Sequence, residues 1–301
     1  MNKQIALIFF SSDKDFAQLH EQLLRANIKT KLLISESPKP RGRGRSVLPN
    51  PAHETAKKTG IPVLTPEKLD EKLEEKLNAI IADLKKSFEV VGFVFAYGKI
   101  IPPQIIDLFD GKLLNLHPSL LPKYRGASPI QSAILDSKKK TGYSIIEIDE
   151  KVDSGNILFQ DELKVLPNDD YTTLRKRIVL SSGKKIPEII NNYVTGKIFP
   201  KKQDDRLATY TRLIRKEDAQ LVEEDNAETA YRKILAYSSW PKAFFIIKQK
   251  RIIVHQAEMQ NGYLLLKSVQ PEGKKVLTAK EFLNGYSNLL TCFPDYAKFS
   301  Q

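Results

Sequence analysis

The 301-residue sequence predicts an α/β protein, with a doubly wound, mainly parallel sheet followed by a small β-rich domain. Three observations carry that expectation. Strand-like and helix-like segments alternate from the first residues to about Gly196, the order in which helical crossovers build a parallel sheet. The strand-like segments are apolar almost continuously, as strands covered on both faces must be. After a basic, proline-containing stretch, the texture changes to short strand-like runs with little helix between them.

The elements follow in order. "KQIALIFF" (3–10) is a first strand, and "DFAQLHEQLLRAN" (15–27) sets Phe16, Leu19, Leu23 and Leu24 at helical spacing. "IKTKLLIS" (28–35) is a second strand. "HETAKKTGIPVLTP" (53–66) reads as a short helix, a glycine stop and a strand. "LDEKLEEKLNAIIADLKKSF" (69–88) is a helix and "EVVGFVFAYG" (89–98) a strand. "PPQIIDLF" (102–109) is a short helix, "GKLLNLH" (111–117) a strand, "SPIQSAILDS" (128–137) a helix and "TGYSIIEID" (141–149) a strand. Residues 170–196 close this part with helical character. The expected division is a first domain over 1–199, a linker over 200–207 and a second domain over 208–301. In the last, "NAETAYRKILAY" (226–237) is a helix, and "AFFIIKQ", "RIIVHQAE" and "GYLLLKSVQ" are strands.

Composition narrows the function classes. Apolar residues make up 41%, enough for two cores, and no run approaches the ~18–20 residues of a membrane span. The N-terminus reads as a strand rather than a signal peptide. The single cysteine, Cys292, allows no intrachain disulfide, so a cytoplasmic location is expected. The four histidines (20, 53, 117, 255) are scattered, so no metal site is expected. Net charge is +12. Residues 206–301 hold 15 Lys/Arg and 10 Asp/Glu, hence +5, leaving +7 on the remainder. Both parts suit a polyanionic partner, although an ordinary solvated basic surface has the same composition.

The chemistry-bearing stretch is "NLHPSLLPKYRG" (115–126). Alternation puts Leu113, Asn115 and His117 on one face of a strand that is otherwise apolar. A polar pair there is costly unless it is satisfied or used. Pro118 ends donation to the ladder, so the pair lies at the strand's carboxyl end, where open parallel sheets form ligand crevices. Hydrogen bonds to neighbouring loops would satisfy the same pair without any chemistry. Asp153 reads equally as a loop aspartate before a Ser-Gly turn. "RGRGR" (41–45) reads either as a solvated loop or as a phosphate-contacting one, with glycines admitting the ligand to Arg41, Arg43 and Arg45.

Residues 115–158 resemble the core of the folate-dependent formyltransferases, which pair an Asn-x-His before Ser-Leu-Leu-Pro with a later Asp-x-Gly loop, here "VDSGNIL". "AYGKIIP" (96–102) and "RGASPIQ" (125–131) are similar to further family segments. "ESPKPRGRGRSVLPNP" (36–51) and "SVQPEGKKVLTAKEFLNG" (268–285) resemble the members that formylate methionyl-tRNA. The resemblance is colinear over nearly the whole chain. It implies a Rossmann-like formyltransferase domain and a shortened, OB-like barrel domain that binds tRNA. It further implies formyl transfer from 10-formyltetrahydrofolate to the amine of initiator methionyl-tRNA, by a monomer with no membrane partner. By the same resemblance Asn115, His117 and Asp153 are catalytic. Tyr97, Gly98, Ser119, Leu120, Leu121 and Pro122 line the folate site, and Arg41, Arg43, Arg45, Lys123 and Arg125 meet tRNA. An amino sugar nucleotide or glycinamide ribonucleotide is the competing acceptor, and a tRNA-binding homologue without catalysis the competing class. The sequence departs from the family in two places. Ser11 and Ser12 stand where a Gly-Thr-Pro turn is usual. Only "MQN" (259–261) lies where a further strand pair is usual, so a complete barrel is not expected.

Overall fold

The computed structural model describes residues 3–41 and 46–300. The chain forms two compact units: Met1–Arg125 with Gly142–Glu162 and Arg177–Thr209, and Gly126–Thr141 with Leu163–Lys176 and Tyr210–Gln301.

The elements up to the middle of the chain are β1 (Gln4–Phe10), α1 (Phe16–Arg25), β2 (Lys29–Ile34), β3 (Lys39–Arg41), β4 (Ser46–Leu48), α2 (Pro51–Lys58) and β5 (Val63–Leu64). They continue with α3 (Glu71–Lys85), β6 (Phe88–Val94), α4 (Pro103–Asp107), β7 (Leu113–His117), β8 (Arg125–Gly126), α5 (Pro129–Leu135), β9 (Lys140–Glu147), β10 (Ile157–Lys164) and α6 (Tyr171–Val194). A seven-stranded sheet has the order β10-β9-β7-β6-β1-β2-β5. β5, β2, β1, β6 and β7 run parallel, and β9 pairs antiparallel with β7. β1 sits in the middle, and Ala6 to Phe10 are wholly buried, which is why the strand reads as one apolar run. On one face, Phe10, Tyr97, Phe109 and Leu113 pack with Leu77 and Ile81 of α3. Helix starts follow the sequence chemistry: Asn50 accepts from the His53 N–H and Asp70 from the Leu73 N–H.

The second unit contains α5 and then β11 (Tyr210–Thr211), α7 (Ala227–Ala236), β12 (Phe244–Ile247), β13 (Lys250–Gln260), β14 (Tyr263–Pro271), β15 (Leu277–Thr278), α8 (Ala279–Gly285) and β16 (Ala297–Phe299). Its five-stranded sheet has the order β12-β13-β14-β15, with β16 parallel to β14. Phe282 lies at the centre of its core, with ring centroids 4.8 Å from Phe299, 4.9 Å from Tyr286 and 5.9 Å from Phe293.

Several elements differ from the sequence expectation. β3 and β4 form an antiparallel pair where a loop is expected, and β10 is an edge strand at the end of the large sheet. "MQN" is not the bridge between strands. The β13–β14 ladder runs through Met259–Leu264 and Gln260–Tyr263, and Asn261-Gly262 alone make the turn. Both turn residues have positive φ (51° and 78°), the geometry that Asn-Gly favours in a two-residue hairpin. α8 and β16 supply further structure beyond that hairpin.

Candidate active site

The site is built where β1, β6 and β7 end. Ser11 and Ser12 follow β1 and do the work of a turn by side-chain hydrogen bonding. Ser11 Oγ accepts from the Asp13 N–H at 3.3 Å. Ser12 Oγ accepts from the Glu36 N–H at 3.0 Å and donates to the Tyr97 carbonyl at 3.4 Å, joining the loops after β1, β2 and β6.

β7 brings Asn115 and His117 to the carboxyl end of the sheet, between β6 and β9. The His117 ring is buried, at 4% exposure. Its Nε2 lies 2.9 Å from the Tyr124 carbonyl oxygen. A carbonyl only accepts, so Nε2 carries a hydrogen and Nδ1 is the nitrogen that faces the site. Nδ1 lies 3.4 Å from Asp153 Oδ2. Asn115 Nδ2 donates to Asp153 Oδ1 at 3.4 Å. The one carboxylate thus bridges the amide and the imidazole, which groups the three residues expected from the sequence.

Asp153 stands in a loop fixed from several sides. Its own backbone is left-handed, with φ 54°. Asp149 closes the loop, accepting from the Ser154 hydroxyl at 2.8 Å and the Lys151 N–H at 3.1 Å. A Cβ on Gly155 would overlap the Glu147 carbonyl group, so only glycine fits. Gln203 Nε2 donates to the Asp153 and Gly155 carbonyls at 2.9 and 2.7 Å.

The residues expected to line a folate site divide into two kinds. Gly98 (φ 85°) is exposed, and Leu120 and Pro122 are half-buried. Tyr97, Ser119 and Leu121 are interior. The Tyr97 hydroxyl is buried beside Phe10, and burial, reinforced by the Glu36 charge, pushes its pKa well above the usual phenol range. Ser119 Oγ donates to the Lys123 carbonyl at 2.6 Å. Ser144 Oγ donates to the Ser119 carbonyl at 2.7 Å and accepts from the Leu121 N–H at 3.0 Å. Gln160 Nε2 holds the Leu121 carbonyl at 2.8 Å. These three residues shape the loop that Leu120 and Pro122 present.

The basic residues divide as well. Lys123 is exposed. Arg41 ends β3, while Arg43 and Arg45 lie outside the described residues. Arg125 is not on a basic rim. It is 2% exposed, and its guanidinium donates to Gln203 Oε1 (3.1 and 2.8 Å) and to Asp205 (2.7 Å). The family resemblance places it with Lys123 on a surface that meets tRNA, but burial against a partner amide decides its placement. Arg125→Met is therefore expected to cost ~1–3 kcal/mol of folding stability by stranding the Gln203 oxygen. Urea denaturation measures that loss. The salt dependence of nucleic-acid binding should not change, whereas losing one phosphate contact would lower the slope by ~0.9.

Ser144, Gln160 and Gln203 were missed at the level of sequence. Each acts on backbone groups of a segment distant in sequence, and nothing local signals that. Among the described residues no group of three or more His, Cys, Asp or Glu side chains is placed to hold a metal, and no helix is long and apolar enough to cross a membrane.

Comparison with known proteins matches residues 3–190 to the formyl transferase family and residues 213–262 to the formyl transferase C-terminal domain. The methionyl-tRNA formyltransferase of Caldicellulosiruptor saccharolyticus is 34% identical, over 93% of this chain and 96% of its own length. The solved structure of methionyl-tRNA formyltransferase from Clostridium thermocellum aligns with TM-score 0.60 at 20% identity, covering 91% of this chain and 99% of that one. HypX from Aquifex aeolicus in complex with tetrahydrofolic acid aligns with TM-score 0.62 at 15% identity, covering 95% of this chain and 48% of that one. At these identities the two structures speak for the fold.

Proposed function

The chain belongs to the formyl transferase family, and from that premise we propose that it transfers the formyl group of 10-formyltetrahydrofolate to the α-amine of methionyl-tRNA. The observation that carries this reading is the colinear likeness to a methionyl-tRNA formyltransferase over 93% of the chain, both family regions included. Asn115, His117 and Asp153 stand together in the site with the chemistry such a transfer needs.

The neutral amine attacks the formyl carbon, and a tetrahedral centre forms whose oxygen gains charge. The Asn115 amide is the donor for that oxygen, with one N–H turned to Asp153 and a second left for the substrate. Asp153 and the Nδ1 face of His117 take up the proton that the amine loses. Nε2 stays on the Tyr124 carbonyl, so the ring does not swing during the transfer. The bond from the formyl carbon to the folate nitrogen then breaks, and the proton passes to that nitrogen, leaving tetrahydrofolate and the formylated amine. The folate is received at Gly98, Leu120 and Pro122, on loops shaped by Tyr97, Ser119 and Leu121. Arg41, Arg43, Arg45 and Lys123 meet the tRNA, with residues 208–301 adding basic surface. The enzyme acts as a monomer in the cytoplasm.

Steady-state formylation of charged initiator tRNA tests this. The wild-type chain should convert methionyl-tRNA stoichiometrically with tetrahydrofolate release. Arg43→Ala should raise the KM for tRNA several-fold and leave the folate KM unchanged. No conversion by the wild-type chain contradicts the proposal, and an equal rise in both constants for Arg43→Ala removes the tRNA role of that arginine.

A further inference from the structure

Residues 201–209 do more than lead out of the first unit. Lys201 and Ile157 exchange two backbone hydrogen bonds of 2.8 Å, which lays the segment beside the loop that carries Asp153. Gln203 is 6% exposed and uses its whole amide. Nε2 donates to the Asp153 and Gly155 carbonyls, and Oε1 accepts twice from Arg125. Six residues further on, Thr209 Oγ1 accepts from the Tyr124 N–H at 2.8 Å. The Thr209 N–H donates to the Pro122 carbonyl at 3.3 Å, and its own carbonyl accepts from the Arg125 N–H at 2.8 Å.

The two residues held in this way flank the imidazole. Tyr124 supplies the acceptor for His117 Nε2, and Asp153 supplies the carboxylate facing Nδ1. Both are left-handed, at φ 60° and 54°. Residues other than glycine persist in that region only when their surroundings hold them there. Here the segment 201–209 supplies a holding bond to each, to the backbone N–H of Tyr124 and the backbone carbonyl of Asp153. Release of either bond would free the backbone of Tyr124 or Asp153 to leave the left-handed region by rotation about its own φ and ψ, moving an acceptor away from one ring nitrogen. Reacting groups displaced by about an ångström can lose ~10²-fold in rate.

We propose that residues 201–209 brace the imidazole–carboxylate pair, with Gln203 and Thr209 as positioning residues acting through Asp153 and Tyr124. The proposal rests on the reading of Asp153 and His117 as proton-transfer groups in formyl transfer. Gln203→Leu and Thr209→Val in the full chain should each lower kcat by ~10-fold or more, with both KM values within about twofold of wild type. Gln203→Glu keeps an acceptor for Arg125 but cannot donate to the two carbonyls, and should match Gln203→Leu. Thr209→Ser keeps the hydroxyl and should recover most of the loss. On an Asp153→Asn background, Gln203→Leu should cost less than about twofold more, because the group it positions is already gone. Should Gln203→Leu not fold, Gln203→Glu and Thr209→Val carry the test. Wild-type kcat in both overturns the proposal. So does a loss confined to KM, or an undiminished loss on the Asp153→Asn background. Full activity of Asp153→Asn itself would instead sink the reading of the site, and the brace with it.

Discussion

His117→Ala is expected to lower kcat for formyl transfer by at least ~10²-fold, and Asn115→Ala and Asp153→Asn should do the same. A hundredfold loss is about 2.7 kcal/mol of transition-state stabilisation, in the range for one oxyanion donor or one acid–base group. The three residues share one carboxylate: Asp153 Oδ1 meets the Asn115 amide and Oδ2 faces His117 Nδ1. They should therefore behave as a unit. The His117→Ala/Asp153→Asn double variant is expected to be little slower than the worse single variant, not the product of the two losses. Neither KM should rise as much as kcat falls. Single-turnover formylation, with far-UV circular dichroism to confirm folding, measures this. Near-parent turnover by all three single variants would show that the chemistry lies elsewhere.

Gly155→Ala should be nearly as damaging, although Gly155 is not a reacting group. The added Cβ meets the carbonyl oxygen and carbon of Glu147, which are backbone atoms and cannot swing aside. The added Cβ would lie 1.9 Å from that oxygen, so restoring an ordinary van der Waals distance requires a shift of about 1.5 Å or more in one of the two backbones. Glu147 is held on β9 by its pairing with Leu114 of β7, so the loop moves instead. Asp153 sits two residues away and travels with it, leaving the imidazole without its carboxylate at the working distance. A kcat loss on the order of 10²-fold is expected, with a smaller loss of stability. If Gly155→Ala keeps the wild-type kcat, the loop's fixed geometry does not matter to the reaction.

The centre of the fold was legible for a simple physical reason. β1, β6 and β7 are covered on both faces, so their sequences are apolar runs that only a buried strand explains. Against that background Asn115 and His117 stood out as polar groups in an apolar strand. β10 was not legible because it lies at the sheet edge and carries Gln160, Asp161, Glu162 and Lys164 among its apolar positions. The Asn261-Gly262 turn and α8 each carry a local signal in the sequence. Asn-Gly marks a two-residue hairpin, and Thr278 with Glu281 forms the capping box that starts α8. Gln203 carried no such signal: an amide in "KKQDDR" looks like any solvated residue until folding brings it to Asp153 and Gly155. Arg125 misled in the same way, since a sequence cannot distinguish an arginine facing phosphate from one buried against an amide.

A competition assay tests the central claim most directly. The chain is given 10-formyltetrahydrofolate together with methionyl-tRNA, glycinamide ribonucleotide and an amino sugar nucleotide, and the formylated product is identified by mass. The account predicts N-formylmethionyl-tRNA as the product, at a rate that falls steeply with added salt because phosphate contacts hold the substrate. A formylated ribonucleotide or sugar nucleotide, with the methionyl-tRNA left unmodified, would contradict it.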